Sequence, residues 1–274
     1  MRPRLELRQA AVIAAKEFRD RIRNRWVLAV AIVFTLFALV ISYFGAAQQG
    51  AVGFRGIDVT IASLASLVIY LVPLIALILG YDAVVGEREN GSLELLLSMP
   101  ITRLELLLGK YLGLAAALAL STLVGFGLAG VLVVYQAGGG ALYHYAGFML
   151  SSLLLGMAFL SMALMISVVA ADRMRASGLA IAVWFFFVLV YDLLLLGLLV
   201  VAEGRFNLAF FPALLLLNPA DIFRILNIFS FEDVGSLYGL ATAFPKELAD
   251  PAWLGIAMLL WIIAPLGVAI WRFK

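Results

Sequence analysis

Six apolar runs constrain this chain more than anything else in it. They cover residues 26–44, 61–79, 111–135, 147–171, 178–201 and 253–271. Crossing a hydrocarbon core takes about 20 apolar residues. Lipid offers the backbone no hydrogen-bond partner, so each crossing must be a helix. The expectation is an all-α integral membrane protein with six transmembrane helices. Composition agrees: 13% of residues are charged and 65% hydrophobic, with mean hydropathy +1.10. A soluble domain carries about 25% charged residues. The first run is longer than a signal-peptide core, so it reads as a retained anchor. A shorter run, 206–217, is about 12 residues and contains Pro212. It is too short to span and is expected to be interfacial or re-entrant.

The basic residues predict which way the chain faces. With the N-terminus inside, the inner segments hold fifteen Lys and Arg and the outer segments four: Arg55, Arg205, Arg224 and Lys246. An excess of this kind marks the cytoplasmic side. Both termini and the stretch 86–105 are therefore expected in the cytoplasm. Residues 202–252 are expected outside. Trp26, Tyr43, Tyr111, Tyr135, Trp253 and Trp271 fall at span ends, as interfacial aromatics do.

Residues 5–25 carry Ala11, Ala15, Phe18 and Ile22 at helical steps that lead to Trp26, with Lys16, Arg19, Arg21, Arg23 and Arg25 mostly on other faces. This pattern predicts an amphipathic helix on an anionic lipid surface. Span three repeats a small residue every fourth position, at Gly109, Gly113, Ala117, Ser121 and Gly125. Such a face admits close helix approach, either within the subunit or between two copies.

Between spans two and three lies GERENGSLELLLSMPITRLELLLGK, residues 86–110. Ser92 reads as an N-cap, with Glu94 in the first turn where the helix dipole favours a carboxylate. A short helix follows through Leu93, Leu95, Leu96 and Leu97, ended by Pro100. Thr102 and Glu105 then form a capping box, with Ile101 and Leu106 as its hydrophobic staple. The second helix runs on into span three. A floppy loop needs none of this. The sequence specifies a short rigid helix joined by an elbow to a membrane helix.

These residues resemble the coupling segment of ABC-2 type transporter permeases. The match is carried by Glu87, Gly91, Ser92, Leu93, Glu94, Leu96, Leu97, Pro100, Arg103, Gly109 and Lys110, with Arg88, Glu89 and Asn90 in the same segment. The resemblance implies a bacterial inner-membrane permease, non-enzymatic, whose short helix docks on a cytoplasmic ABC ATPase. It also implies a homodimer with two ATPase copies, since six spans make half a permease. The chain has no G-x-x-x-x-G-K-[ST], so ATP and Mg would be handled by the partner ATPase and no cofactor by this chain.

On the outer side, NPADIFRILNIF is a clean helix start. Asn218 is the cap, Pro219 the first helical residue, and Asp221 lies in the first turn. The N-P-A-D-x-F-R run from Asn218 to Arg224, with residues 238–244, is similar to the permeases of the nitrous oxide reductase maturation system. That likeness implies a periplasmic repeat protein as partner and a role in assembling copper centres. The candidate contacts with that partner are Asn218, Asp221, Phe223, Arg224, Glu232 and Asp233.

Other chemistry is poorly served. There is no cysteine and one histidine, His144, too few for an ordinary zinc site. The methionines of span four do not converge on one line, so no metal ligands are assigned. No catalytic motif and no nucleic-acid module is present. Asp192, inside span five, would cost about 2.5–3.5 kcal/mol at mid-bilayer. It is a gating or pathway candidate, or else a packing residue nearer the interface. Asp82 sits at the end of span two, where water can reach it. A secondary transporter or channel built on Asp192 and Asp82 is the competing function.

Overall fold

The computed structural model describes residues 6–44, 57–137, 141–201, 211–228 and 250–273. Among these the regular structure is entirely helical. The order is α1 (Leu7–Arg23), α2 (Trp26–Phe44), α3 (Ile57–Gly80), α4 (Val85–Glu89), α5 (Ser92–Leu97), α6 (Arg103–Ala137) and α7 (Ala141–Val169). Then come α8 (Arg173–Phe185), a π-helical turn (Phe186–Val190), α9 (Tyr191–Val201), α10 (Phe211–Leu216), α11 (Pro219–Ile228) and α12 (Pro251–Arg272). Five helices, counting α8–π–α9 as one, are long and apolar enough to cross a membrane. The pair α1–α2, bent by 64°, makes a sixth crossing if taken as one. Arg25 makes that bend by adopting φ 55°, a left-handed conformation costly for a side chain. Glu232 and Asp233, and residues 238–244, lie outside the described residues. So does 206–210, the start of the short apolar run; its remainder forms α10.

Helix α7 is the central pillar, with 72% of its apolar stretch buried. Helices α3, α6, α11 and α12 pack round it. An aromatic series ties the bundle together. Phe34 stacks on Phe126 at 4.8 Å, Phe126 meets Phe148 edge-on at 5.4 Å, and Phe148 contacts Phe223 at 6.3 Å. In lipid, close packing and internal hydrogen bonds hold helices together, because the surroundings are as apolar as the side chains. Tyr145 accordingly donates its hydroxyl to the Phe126 carbonyl (2.7 Å), and Tyr111 donates to that of Met157 (3.1 Å).

The small-residue face of α6 is filled from within the chain. A Cβ at Gly109 would meet Ile13 and the Ala10 carbonyl, and one at Gly113 the Ala14 carbonyl and Glu17. One at Gly125 would meet Phe34. Ser121 donates to the Val27 carbonyl at 3.2 Å. Of the two uses open to this stripe, it seats α1 and α2 against α6. The face of α1 turned to α6 is therefore Ala10, Ile13, Ala14 and Glu17. Ala11, Ala15 and Ile22 remain exposed.

Candidate functional site

The stretch between α3 and α6 divides into an anchored half and a presented half. Helix α4 is the anchored half. The N–H groups of its cap residue Val84 and first residue Val85 both donate to Ser167 Oγ of α7, at 2.9 and 3.0 Å. Arg88 reaches the other way, donating to the Val168 and Ala170 carbonyls at the end of α7 (3.0 and 2.9 Å). Orphan donors of one helix and orphan acceptors of another are thus satisfied by side chains. Glu87 Oε1 lies 2.7 Å from Lys110 Nζ, and Lys110 also meets Glu17 Oε2 at 3.3 Å. The Lys110 side chain is only 4% exposed, so this clasp of α1, α4 and α6 is buried.

Glu89 accepts the Arg173 N–H at 2.8 Å, and the Arg173 guanidinium lies 2.7 Å from Asp82 and 3.5 Å from Glu89. Asp82 is thus ion-paired rather than simply solvated. Glu87, Arg88 and Glu89 all turn toward this protein's own helices.

Gly91 opens the presented half. Its φ of +70° is left-handed, a region glycine enters without penalty, and it stands at the cap position of α5. Ser92 is not the N-cap: it is the first helical residue, and its hydroxyl donates back to the Glu87 carbonyl at 3.3 Å. The glycine takes the cap because the chain must reverse there. Leu93 is buried and Leu96 and Leu97 are half-buried, which fixes the helix to the bundle. Asn90, Gly91, Glu94, Leu95, Met99, Pro100 and Arg103 are exposed. Leu95 is 66% exposed and Met99 50%. Neither was among the expected site residues; helical phase, opposite Leu93, is the signal that places Leu95 outward, and Met99 lies past the helix end in the turn before Pro100.

The elbow follows. Ile101 N–H donates to the Met99 carbonyl at 2.7 Å across Pro100. Thr102 N–H then donates to Glu105 Oε2 (2.7 Å), and Glu105 N–H donates to Thr102 Oγ1 (3.2 Å), the reciprocal box. Glu105 Oε1 also accepts the Glu6 N–H at 2.6 Å, so one carboxylate caps α6 and α1 together. The backbone donors of Thr102 and Glu6 hold its carboxyl below the usual carboxylate range. Arg103 lies over the Phe273 ring at 5.9 Å. Leu97, Pro100, Ile101, Thr102 and Arg103 line a shallow depression beside α5.

A second polar cluster sits where α9 meets α11, about 19 residues beyond Arg173, roughly 28 Å along the helix axis. Asn218 caps α11, accepting the Ala220 N–H at 3.0 Å. Its amide donates to Asp221 and to the Phe187 carbonyl of the π turn, both at 2.9 Å. Arg224 bridges Asp221 (2.6 Å) and Asp192 (2.8 Å). Tyr191 donates to the Leu214 carbonyl at 2.7 Å, and Trp261 to that of Leu216 at 3.1 Å. Asn218, Asp221 and Phe223 are buried, and the Arg224 side chain is 18% exposed. In this arrangement they form an internal network, not an outer docking face. Asp192 serves that network as an ion-pair partner.

Among the described residues, no group of three or more His, Cys, Asp or Glu side chains could hold a metal ion. What the α5 end can do is mechanical. A helix with an apolar, exposed edge is held by one fixed arm, α4, and continues through an elbow into a long membrane helix.

Residues 11–274 match the family of ABC-2 family transporter proteins. The chain belongs to that family. It is also similar to two proteins named as the probable ABC transporter permease protein NosY. To that of Stutzerimonas stutzeri it is 47% identical over 261 residues, covering 90% of this chain and 94% of the relative. To that of Pseudomonas aeruginosa it is 46% identical over 268 residues, 96% of both. The chain is therefore an ABC-2 permease subunit, a membrane component whose ATPase resides in a separate subunit. Family membership displaces the secondary transporter or channel.

Proposed function

We propose that this permease receives force from its ATPase at α5 and passes it to its membrane helices. The α5 end is then cytoplasmic, in the inner membrane, in agreement with the basic residues gathered there. The observation that carries the reading is the contrast within residues 86–105. Glu87, Arg88 and Glu89 tie α4 to α6, to the end of α7 and to α8, while Leu95 on α5 and Met99 just beyond it stand exposed on a segment that cannot swing freely. An apolar edge on a braced arm fits a cleft in a partner protein. Deleting residues 91–99 and co-purifying with the ATPase tests this. Loss of ATPase association is expected; retained association contradicts it.

The working unit in this reading is a homodimer with two ATPase copies, and α1 offers its Ala11–Ala15–Ile22 edge to lipid. The similarity to proteins named NosY supports a place in copper-centre maturation of nitrous oxide reductase, with a periplasmic repeat protein beyond the outer segment. Either a substrate is exported or motion is handed to that protein. Disruption of the gene in a denitrifying host, followed by copper analysis of the purified reductase, checks the assignment: copper-deficient enzyme is expected.

A further inference from the structure

Span five, the unit α8–π–α9, is built unlike the others. Only 17% of its apolar stretch is buried, against 72% for α7. A span so little packed within its own chain takes its position in the subunit chiefly from its polar ties, and these decide which helices of this chain it moves with. They gather at two places. At the α5 end Arg173 is held by Asp82, by Glu89 through both side chain and backbone, and by the Gly86 carbonyl at 3.2 Å. Gly86 itself leaves room for this: a Cβ there would collide with Asp82 Oδ1 and the Arg173 guanidinium. At the other end come the Asp192–Arg224 pair, the Asn218 amide on the Phe187 carbonyl and the Tyr191 hydroxyl on Leu214. Between the two, Trp184 Nε1 donates to the Tyr70 carbonyl at 3.0 Å, two residues before the π turn. A π turn is where a helix bends at least cost, and Asn218 satisfies one of its carbonyls.

We infer that span five is the transmitting rod of this permease, gripped by α4 through Arg173 and gripping α11 through Asp192–Arg224. This rests on the reading of α5 as the ATPase-docking helix. Displacement of α4–α5 drags Arg173, the rod pivots about Trp184 and the π turn, and α11 follows through the ion pair. Arg173, Gly86 and Asp192 are positioning residues in this sense. The Arg173 grip lies partly in water and needs its several partners together, since a single exposed pair contributes little. The Asp192–Arg224 grip is more enclosed and does not.

The chain has no cysteine, so paired spin labels can be introduced cleanly. Exposed Leu112 and Met174 report the α5 end of the rod, and exposed Leu142 and Val201 its far end. Labelled copies, diluted with unlabelled ones, are assembled with the ATPase in lipid nanodiscs and measured with and without ATP. Both distances are expected to shift on ATP binding. Asp192→Asn should keep the first shift and weaken the second, because Asn218 still holds the Phe187 carbonyl. Gly86→Ala and Arg173→Gln, two independent ways of opening the grip, should lose both. A far-end shift that survives all three substitutions overturns the inference. So does a label at Leu95 that moves with ATP while Met174 stays fixed, and this outcome leaves the docking reading intact. Failure of the ATPase to bind the unsubstituted chain removes the docking reading, and the inference falls with it.

Discussion

Lys110 Nζ stands 2.7 Å from Glu87 Oε1 and closes α4 onto α6. With Glu17 as second partner, one buried cation joins three elements distant in sequence. Lys110→Met leaves two carboxylates in a site built for a charge between them. Removing one partner of a buried ion pair costs about 3–5 kcal/mol. A marked fall in melting temperature in detergent is expected. Adding Glu17→Gln and Glu87→Gln should recover part of it, because the uncompensated charges are then gone.

The seat of α1 on α6 depends on absent side chains. Gly113→Val forces a Cβ against the Ala14 backbone and should destabilise by about 1–3 kcal/mol. It should also increase hydrogen exchange in α1. Gly127→Ala is the control. Its nearest neighbour would be Met149 Cε at 4.0 Å, so it should be neutral or stabilising.

Asp221 and Asp192 share Arg224 but not its surroundings. The Asp221 side chain is 1% exposed and that of Asp192 28%. Arg224→Met strands the buried carboxylate and should cost about 3–5 kcal/mol. Asp192→Asn leaves Arg224 paired with Asp221 and should cost no more than about 1.5 kcal/mol. Thermal unfolding of the two variants in one detergent checks the order.

Glu105 gives a pH signature. It stands ahead of the apolar run that begins at Tyr111, and its carboxyl is held below the ordinary value of 4.5. The group therefore stabilises the folded chain fully above that value. The contribution fades as pH falls through the lowered folded value. Glu105→Gln should reduce melting temperature by a constant amount from pH 8 to about pH 5. The gap to the unsubstituted chain should close only below that range. A gap that widens on acidification would contradict the capping geometry.

How far the sequence could be read depended on the range of each interaction. The Thr102–Glu105 box and the Asn218 cap span three residues, and their spacing is visible in the chain. The apolar runs were legible for the same reason. Gly91 displaced Ser92 as the α5 cap because the required φ is set by how α4 meets the bundle. The Lys110–Glu17 pair spans 93 residues, and Arg88 reaches carbonyls 80 and 82 residues away. No local pattern announces such partners. Asp192 and Arg224 each stood out separately, one as a charge in a span and the other as a charge outside it. Only the fold shows that they pair, and that Asn218, Asp221 and Phe223 are buried beside them. The π turn has no sequence mark; its apolar residues would suit an ordinary helix equally well.

The exposed edge of α5 carries the account, and photo-crosslinking reads it directly. A photoreactive amino acid is placed at Leu95, and separately at buried Leu93, in the permease expressed with its ATPase. The account predicts a crosslink to the ATPase from position 95 and none from position 93. No crosslink from 95, or one to a periplasmic protein, would contradict it.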